Sequence, residues 1–333
     1  MAVQLASVMT DSTEIQRDDV LVVIFLFGLY EMFTSSSRDG SWITHMQGTQ
    51  SVIEHQDSTR LADDSNYLSI LCTHLVVYYL TENKDPPPHL DRWIQQIPFE
   101  NDLKKHLVRL MSEASRLCMR LRQRCALKGA TDHADLSVLD DSLALDMKLE
   151  AWATQLPPAW SYIAQTSLSH SKRPKWSKQL FSGPGAPEKM VSYFTSLSAS
   201  NWNLCRATRI RLNLTLLKFL DKRPFLSPHI PELRARTIEI LLNLTNEVAH
   251  TLAYLFNLSP DGSSDLASPS EIPTIWAYMV MWPTFTSYFC LQQKLVKEKD
   301  TLQRGVWFRK VLNFLSESAG IAKVRILVQE TTT

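Results

Sequence analysis

The chain of 333 residues carries 35 Lys+Arg against 34 Asp+Glu, 44% hydrophobic residues, 9 Gly, 16 Pro and 5 Cys. A formal charge of +1 with that apolar content excludes disorder as the dominant state, and it excludes a general affinity for nucleic-acid phosphates or anionic membranes, so any such contact must be local. The length allows one large or two modest domains with a sizeable core.

Helical spacing dominates, and it predicts helices over residues 18–33, 41–56, 60–82, 100–128, 134–155, 188–220, 231–258, 272–297 and 300–327. The most hydrophobic segment, Val20 to Tyr30, is eleven residues long, well short of the roughly 20 that a membrane span needs, and reads as a buried helix. The acids before it (Asp11, Glu14, Asp18, Asp19) have the wrong polarity for a secretory signal, which leads us to expect a protein that stays inside the cell. The sequons at Asn213, Asn243 and Asn257 fall in helical patterns and are expected to go unused. Leu103, Leu107, Leu110, Ala114, Leu117 and Leu121 step by four and three along one face, the pattern of a helix packed on a neighbour. Leu145, Leu149, Trp152 and Leu156 continue it downstream, as do Ile238, Leu241, Thr245, Val248, Leu252 and Leu255. Prolines punctuate these runs. Pro86-Pro87-Pro88 separates two helices, Pro157-Pro158 ends another, and Pro231 opens one at a position where its missing N–H costs nothing. Long loops are expected at 157–188 and 259–271. The wide apolar faces on both sides predict an all-α fold, a single large domain of packed antiparallel helices over 18–328 with short segments at 1–17 and 329–333.

Catalytic or metal chemistry finds little support. Cys72, Cys118, Cys125, Cys205 and Cys290 are odd in number, contain no C-x-x-C pair, and fit reduced buried thiols. His45, His55, Asp63-Asp64, Asp140-Asp141 and the run Asp132-His133-Ala134-Asp135 are expected to cap helices or sit in solvent, because no metal motif, phosphate-binding glycine turn or serine elbow accompanies them. No enzyme, cofactor or metal is expected. Between Lys104 and Lys128 lie eight basic residues (Lys104, Lys105, Arg109, Arg116, Arg120, Arg122, Arg124, Lys128) and one acid, Glu113; we read them as a solvated or internally paired face. Lys172-Arg173-Pro174-Lys175 fits a short basic nuclear-import signal read in extended form from a proline-rich loop.

Four patterns in order carry a family resemblance. They are Leu29-Tyr30-Glu31 followed by Trp42, His45 and Gly48; Leu149, Trp152, Leu156-Pro157 and Trp160; Asn203, Arg206, Arg209 and Ile210; and Trp307 with Leu312 and Leu315. Together, from about Asp18 to Val328, they resemble the middle homology regulatory domain of fungal zinc-cluster transcription factors. Physically, Trp152 should anchor the core, Pro157 should stop its helix and let Trp160 fold back, and Arg206 and Arg209, three apart, share a helix face suited to buried carboxylates such as Glu31 or Asp146.

The resemblance implies no catalytic residues. The family's six-cysteine cluster, with its C-x-x-C-x6-C spacing, occurs nowhere in this sequence. The expectation is a nuclear regulator, with the cytoplasm as the alternative, that binds no specific DNA sequence itself. It would act through other regulators or coactivators, a full-length zinc-cluster protein among them, or through a small-molecule effector. A metabolic gene set, secondary metabolism being one option, is what the resemblance implies. A C-terminal fragment of a complete factor and a non-transcriptional ligand-binding or scaffold protein are the competing readings.

Overall fold

The computed structural model describes residues 18–34, 41–55, 66–127, 133–169, 172–296, 299–322 and 324–325. Eleven α-helices run through them: α1 Asp18–Thr34, α2 Ser41–His55, α3 Asn66–Glu82, α4 His89–Gln96, α5 Asp102–Ala126, α6 His133–Thr154, α7 Lys175–Leu180, α8 Ser196–Lys222, α9 Ile230–Leu255, α10 Thr274–Gln292 and α11 Lys299–Glu317. The fold is all-α, as the periodicity predicts. None of the described helices is long and apolar enough to cross a membrane.

Helix α8 is the axis of the molecule. Its apolar residues form two stripes on opposite faces: Leu212, Leu216 and Phe219 enter a core shared with α1 to α6, while Ile210, Leu214 and Leu217 enter a second core built from the segment 168–193, α9, α10 and α11. A helix with apolar stripes on opposite faces is enclosed on both, and from Ser198 to Leu220 nearly every side chain of α8 is buried, its arginines at 206, 209 and 211 included. Side-chain caps start two of the three longest core helices, α5 and α8. Asn101 Oδ1 accepts from the Lys104 amide at 2.9 Å to open α5, and Thr195 Oγ1 accepts from the Ser198 amide at 3.0 Å to open α8. Five of the six stripe residues on α5 are buried, and Leu103 packs partly buried against the same core.

Two expectations need correction. The long loop expected over 157–188 holds structure of its own: strand β1 (Tyr162–Ser167) pairs antiparallel with β2 (Lys189–Tyr193), with Gln165 opposite Val191, and α7 lies between them. Consequently α8 starts at Ser196, not near 188. Met190, Val191 and Tyr193 sink into the second core, and a segment of this kind fits a pleated half-buried surface better than a helix. Helix α4 is also additional. Leu90, Trp93 and Ile94 bury one face of it directly after the triple proline.

Candidate functional site

Four buried arginines organise α8 and its end, and each has a different solution to the cost of burying charge. Arg206 donates to Glu247 at 2.9 Å and to the hydroxyls of Tyr193 and Thr251, both at 2.9 Å. Arg209 grips Asp146 with two bonds of 2.8 Å, and Asn213 donates to the same carboxylate at 2.7 Å. Burial works against the Arg209 charge, but the hydrogen bonds and charge of Asp146 outweigh it and raise the guanidinium above its ordinary pKa. Arg223 shares Asp135 with Arg124, at 3.0 and 2.6 Å. Arg211 has no carboxylate among the described residues; its Nη2 instead donates to Leu80 O, Thr81 O and Asn83 Oδ1 at 3.0, 3.1 and 2.6 Å. Of the two partners suggested for the Arg206–Arg209 pair, Asp146 is found on Arg209. Glu31 is not near them, since it meets His45 at 3.1 Å on the α1–α2 pair, and Arg206 takes Glu247 from α9.

The remaining motif residues fall in separate places. Tyr30 is exposed, and Trp42 occupies the first turn of α2 with a side chain outside the described residues. A Cβ on Gly48 would meet Ile24 at an ordinary 3.8 Å, whereas one on Gly28 would stand 3.3 Å from His45 Cβ. The close approach of α1 to α2 is therefore at Gly28, which sequence reasoning did not single out. Buried Trp152 donates its indole N–H to Leu103 O at 2.9 Å. Beyond exposed Pro157, a single turn brings Trp160 against the first core, where its carbonyl accepts from Trp202 at 2.7 Å. Asn203 is fully buried and its Oδ1 accepts from Arg206 at 3.2 Å, and Trp307 on α11 is buried with its N–H on Leu180 O at 2.8 Å.

Two readings of charged residues change. Asp135, expected in solvent or at a cap, is 0% exposed and is the shared counter-ion of Arg124 and Arg223. Arg173 is also buried, donating to Ser169 O, Phe181 O and Leu168 O at 2.6, 2.7 and 2.9 Å, while Lys172 pairs with Asp261 at 3.0 Å and Lys175 is exposed at the start of α7. The basic tetrapeptide is thus part of the fold rather than an extended strand, because Arg173 ties the carbonyls of Leu168 and Ser169 before α7 to that of Phe181 at its far end. On the basic face of α5, Arg116 and Arg120 pair with Asp91 and Asp141, each at 2.9 Å. His55 keeps a side chain outside the described residues, as do Asp63, Asp64, Lys128 and Asp132 altogether.

A cavity of about 370 Å³ opens between α3, the start of α5, α8 and α10. Its walls are helical stripes: Ile70, Thr73, His74, Val77 and Thr81 from α3; Leu197, Ser200 and Leu204 from α8; Ile275, Tyr278, Trp282 and Phe285 from α10. Ile70, Leu197 and Ile275 are 48%, 40% and 52% exposed, which is unusual for large aliphatic side chains and marks an apolar mouth. Inside, polar groups are few. Lys104 donates to Asn201 Oδ1 at 2.6 Å, and burial pulls its pKa down to about 8 although Glu100 opposes the shift. His74 lies stacked on Phe25 and edge-on to Tyr278, and burial lowers it to about 3, so it is neutral at ordinary pH. Among the described residues, His74 Nδ1 and Trp282 Nε1 have no hydrogen-bond partner. Pro283 sits in the same wall and cannot donate to the Met279 carbonyl one turn back, which interrupts the α10 ladder at the cavity.

No group of three or more His, Cys, Asp or Glu among the described residues could hold a metal. The four cysteines at 72, 118, 205 and 290 are buried, and burial pushes Cys72, Cys205 and Cys290 to about 12, far from a reactive thiolate. The fungal specific transcription factor domain matches residues 3–256 of the sequence. The chain belongs to that family. Neither the curated proteins nor the solved structures gave a match. Membership points to a transcription regulator rather than an enzyme. The matched stretch reaches just past the end of α9, so Trp307 and all of α10 and α11 lie beyond it. In this member of the family, then, α3, α5 and α8 supply cavity walls from within the matched domain and α10 supplies one from outside it.

Arg206 and Arg209 were legible as a pair suited to buried carboxylates, whereas Arg211 and Arg223 carried no sign in the sequence. What distinguishes all four is the carboxylate or carbonyl that meets them across 41 to 131 residues of sequence, a separation no local pattern encodes. The cavity stripes were equally hidden, since an apolar row at helical spacing reads as core whether it meets another helix or a void.

Proposed function

We propose that this chain is the regulatory part of a fungal nuclear transcription regulator, and that a small, mainly apolar effector held between α3, α8 and α10 sets its activity on a metabolic gene set. Secondary metabolism is one such set. The observation that carries the reading is the cavity itself. A volume of about 370 Å³ lies within the usual range for small-molecule sites, and it joins apolar walls to an indole N–H and an imidazole nitrogen that lack partners. A ligand with an aromatic or aliphatic body and an acceptor would meet the Trp282 N–H, and His74 Nδ1 would take a second polar group matched to its tautomer. Lys104 offers a second anchor for an acidic or carbonyl group. Because the zinc-cluster spacing is absent from these 333 residues, promoter contact is assigned to another module, carried either in the same polypeptide or by a partner regulator.

Tethering the whole chain to an operator through a heterologous DNA-binding domain tests the reading. Reporter output should change on tethering and vary with growth condition, and Ser200→Phe, which fills the cavity from α8, should abolish the variation while leaving the protein folded. Output identical to the bare DNA-binding domain under every condition would refute it. One observation favours a second reading: with Arg173 buried, one of the three cations of the basic tetrapeptide is withdrawn into the fold, which supports a cytoplasmic ligand-binding protein of the same fold. Persistent exclusion of the tagged chain from nuclei would select that alternative.

A further inference from the structure

The described arginines of the α8 core follow a rule with one exception. Arg206, Arg209 and Arg223, and Arg124 beside the last, each meet a carboxylate, whereas around the C-terminal half of α8 four cations gather without one. A second cavity, of about 440 Å³, is lined there by Arg122 and Cys125 of α5, Arg211, Lys218 and Lys222 of α8, and Phe289 at the end of α10. Asp221 is the single acid in its lining, and that carboxylate is engaged by Arg234 at 2.8 Å. Among the described residues, Arg122, Arg211, Lys218 and Lys222 form no ion pair. Arg122 reaches only the thioether of Met119 at 4.0 Å. Arg211 spends Nη2 on the α3 carbonyls and Asn83, which leaves Nε and Nη1 without an acceptor among the described residues. Arg211 and Lys218 both lie over the ring of Phe289, at 5.6 and 5.5 Å from its centroid, so one aromatic ring meets both charges.

We infer that this basic cavity binds a phosphate monoester of a small organic molecule. Two guanidinium groups and two ammonium groups offer more donors than a carboxylate with two oxygens can use, and a phosphate monoester presents three peripheral oxygens and nearly two negative charges at neutral pH. Guanidinium forks match phosphate geometry, and Leu214, Phe289 and Leu295 supply an apolar floor for the ester's organic part. Charge crowding around the cavity agrees with this assignment. Burial, with the neighbouring Arg122 and Arg211 charges adding to it, lowers the Lys218 pKa, and burial brings Arg211 down to about 10.

Phenyl phosphate is the direct probe, titrated calorimetrically into the full chain beside benzoate and phenol. Saturable binding is expected for phenyl phosphate, at least tenfold weaker binding for benzoate, none for phenol, and a loss of affinity as sodium chloride rises. Arg122→Met and Lys218→Met keep the aliphatic stems and remove the charges; each should weaken phenyl phosphate at least tenfold, and Lys104→Met in the other cavity should leave it unchanged. Without ligand, the Lys218→Met protein should melt at the same temperature as the parent or higher, because a repelled charge is gone. Benzoate binding as tightly as phenyl phosphate, affinity indifferent to Arg122→Met and Lys218→Met, no saturable binding at all, or a lower melting temperature for unliganded Lys218→Met would each overturn the assignment.

Discussion

At the scale of single residues, the buried charges set the largest local energies. Arg209→Met leaves Asp146 buried without its bidentate partner, and the expected cost is about 3–5 kcal/mol in denaturant unfolding, the range for breaking a buried pair. Arg209→Lys should recover only part of it, because an ammonium cannot reproduce two parallel bonds. Acid sensitivity follows from His74. Its folded pKa of about 3 lies below the ordinary 6.5, so between those values the unfolded chain holds the extra proton, and stability falls as pH falls below about 6.5. Relative to pH 7.5 the loss at pH 5 should be on the order of 2 kcal/mol. The His74→Phe variant, which keeps a ring between Phe25 and Tyr278, should lose that share of the slope and leave a comparable share from His250, which burial holds at about 4; an unchanged slope would assign the effect to groups other than His74. Of these residues, the sequence marked Arg209 through its spacing from Arg206 and offered Asp146 as a partner. His74 was invisible, since a histidine amid Leu75, Val76 and Val77 has no local sign of the aromatic rings that enclose it.

At the scale of elements, boundaries set by proline were readable, while the start of α8 at its Thr195 cap and the elements defined only by their distant partners were not. Pro157 and Pro231 mark the end of α6 and the start of α9 within a few residues, whereas β1 and β2 exist because each supplies the other's hydrogen bonds across the segment that holds α7. The turn into α7 bears on transport. Arg173→Ala should destabilise the protein by about 2–4 kcal/mol, since three buried carbonyls lose charged donors, while Lys172→Ala with Lys175→Ala should leave stability within about 0.5 kcal/mol. If the lysine pair also leaves nuclear accumulation unchanged, the turn is structural and the address resides elsewhere; a loss of accumulation with full stability would make it an address despite the buried arginine.

For the molecule as a whole, the two cores share α8 as a common wall and should fail together. Trp152→Ala removes a buried indole and its bond to Leu103, costing about 3–5 kcal/mol. Although Trp152 belongs only to the first core, hydrogen exchange of the innermost amides should accelerate in α11 as well as in α6; protection kept in α11 would mean that the cores are separate cooperative units. The sequence conveyed the all-α class because helical periodicity is local, but not the division into two cores, which depends on α8 presenting opposite faces to different neighbours. Helices α8 and α10 also line both cavities, the apolar one around Ser200 and Trp282 and the basic one around Lys218 and Phe289, with Pro283 interrupting the ladder of α10 on the way from one to the other. Two ligands that grip the same pair of rods cannot be thermodynamically indifferent if either alters the spacing of the rods. Whatever factor the first applies to the affinity of the second, the second must apply to the first, so that filling the apolar cavity is felt as a changed affinity in the basic one, and the reverse.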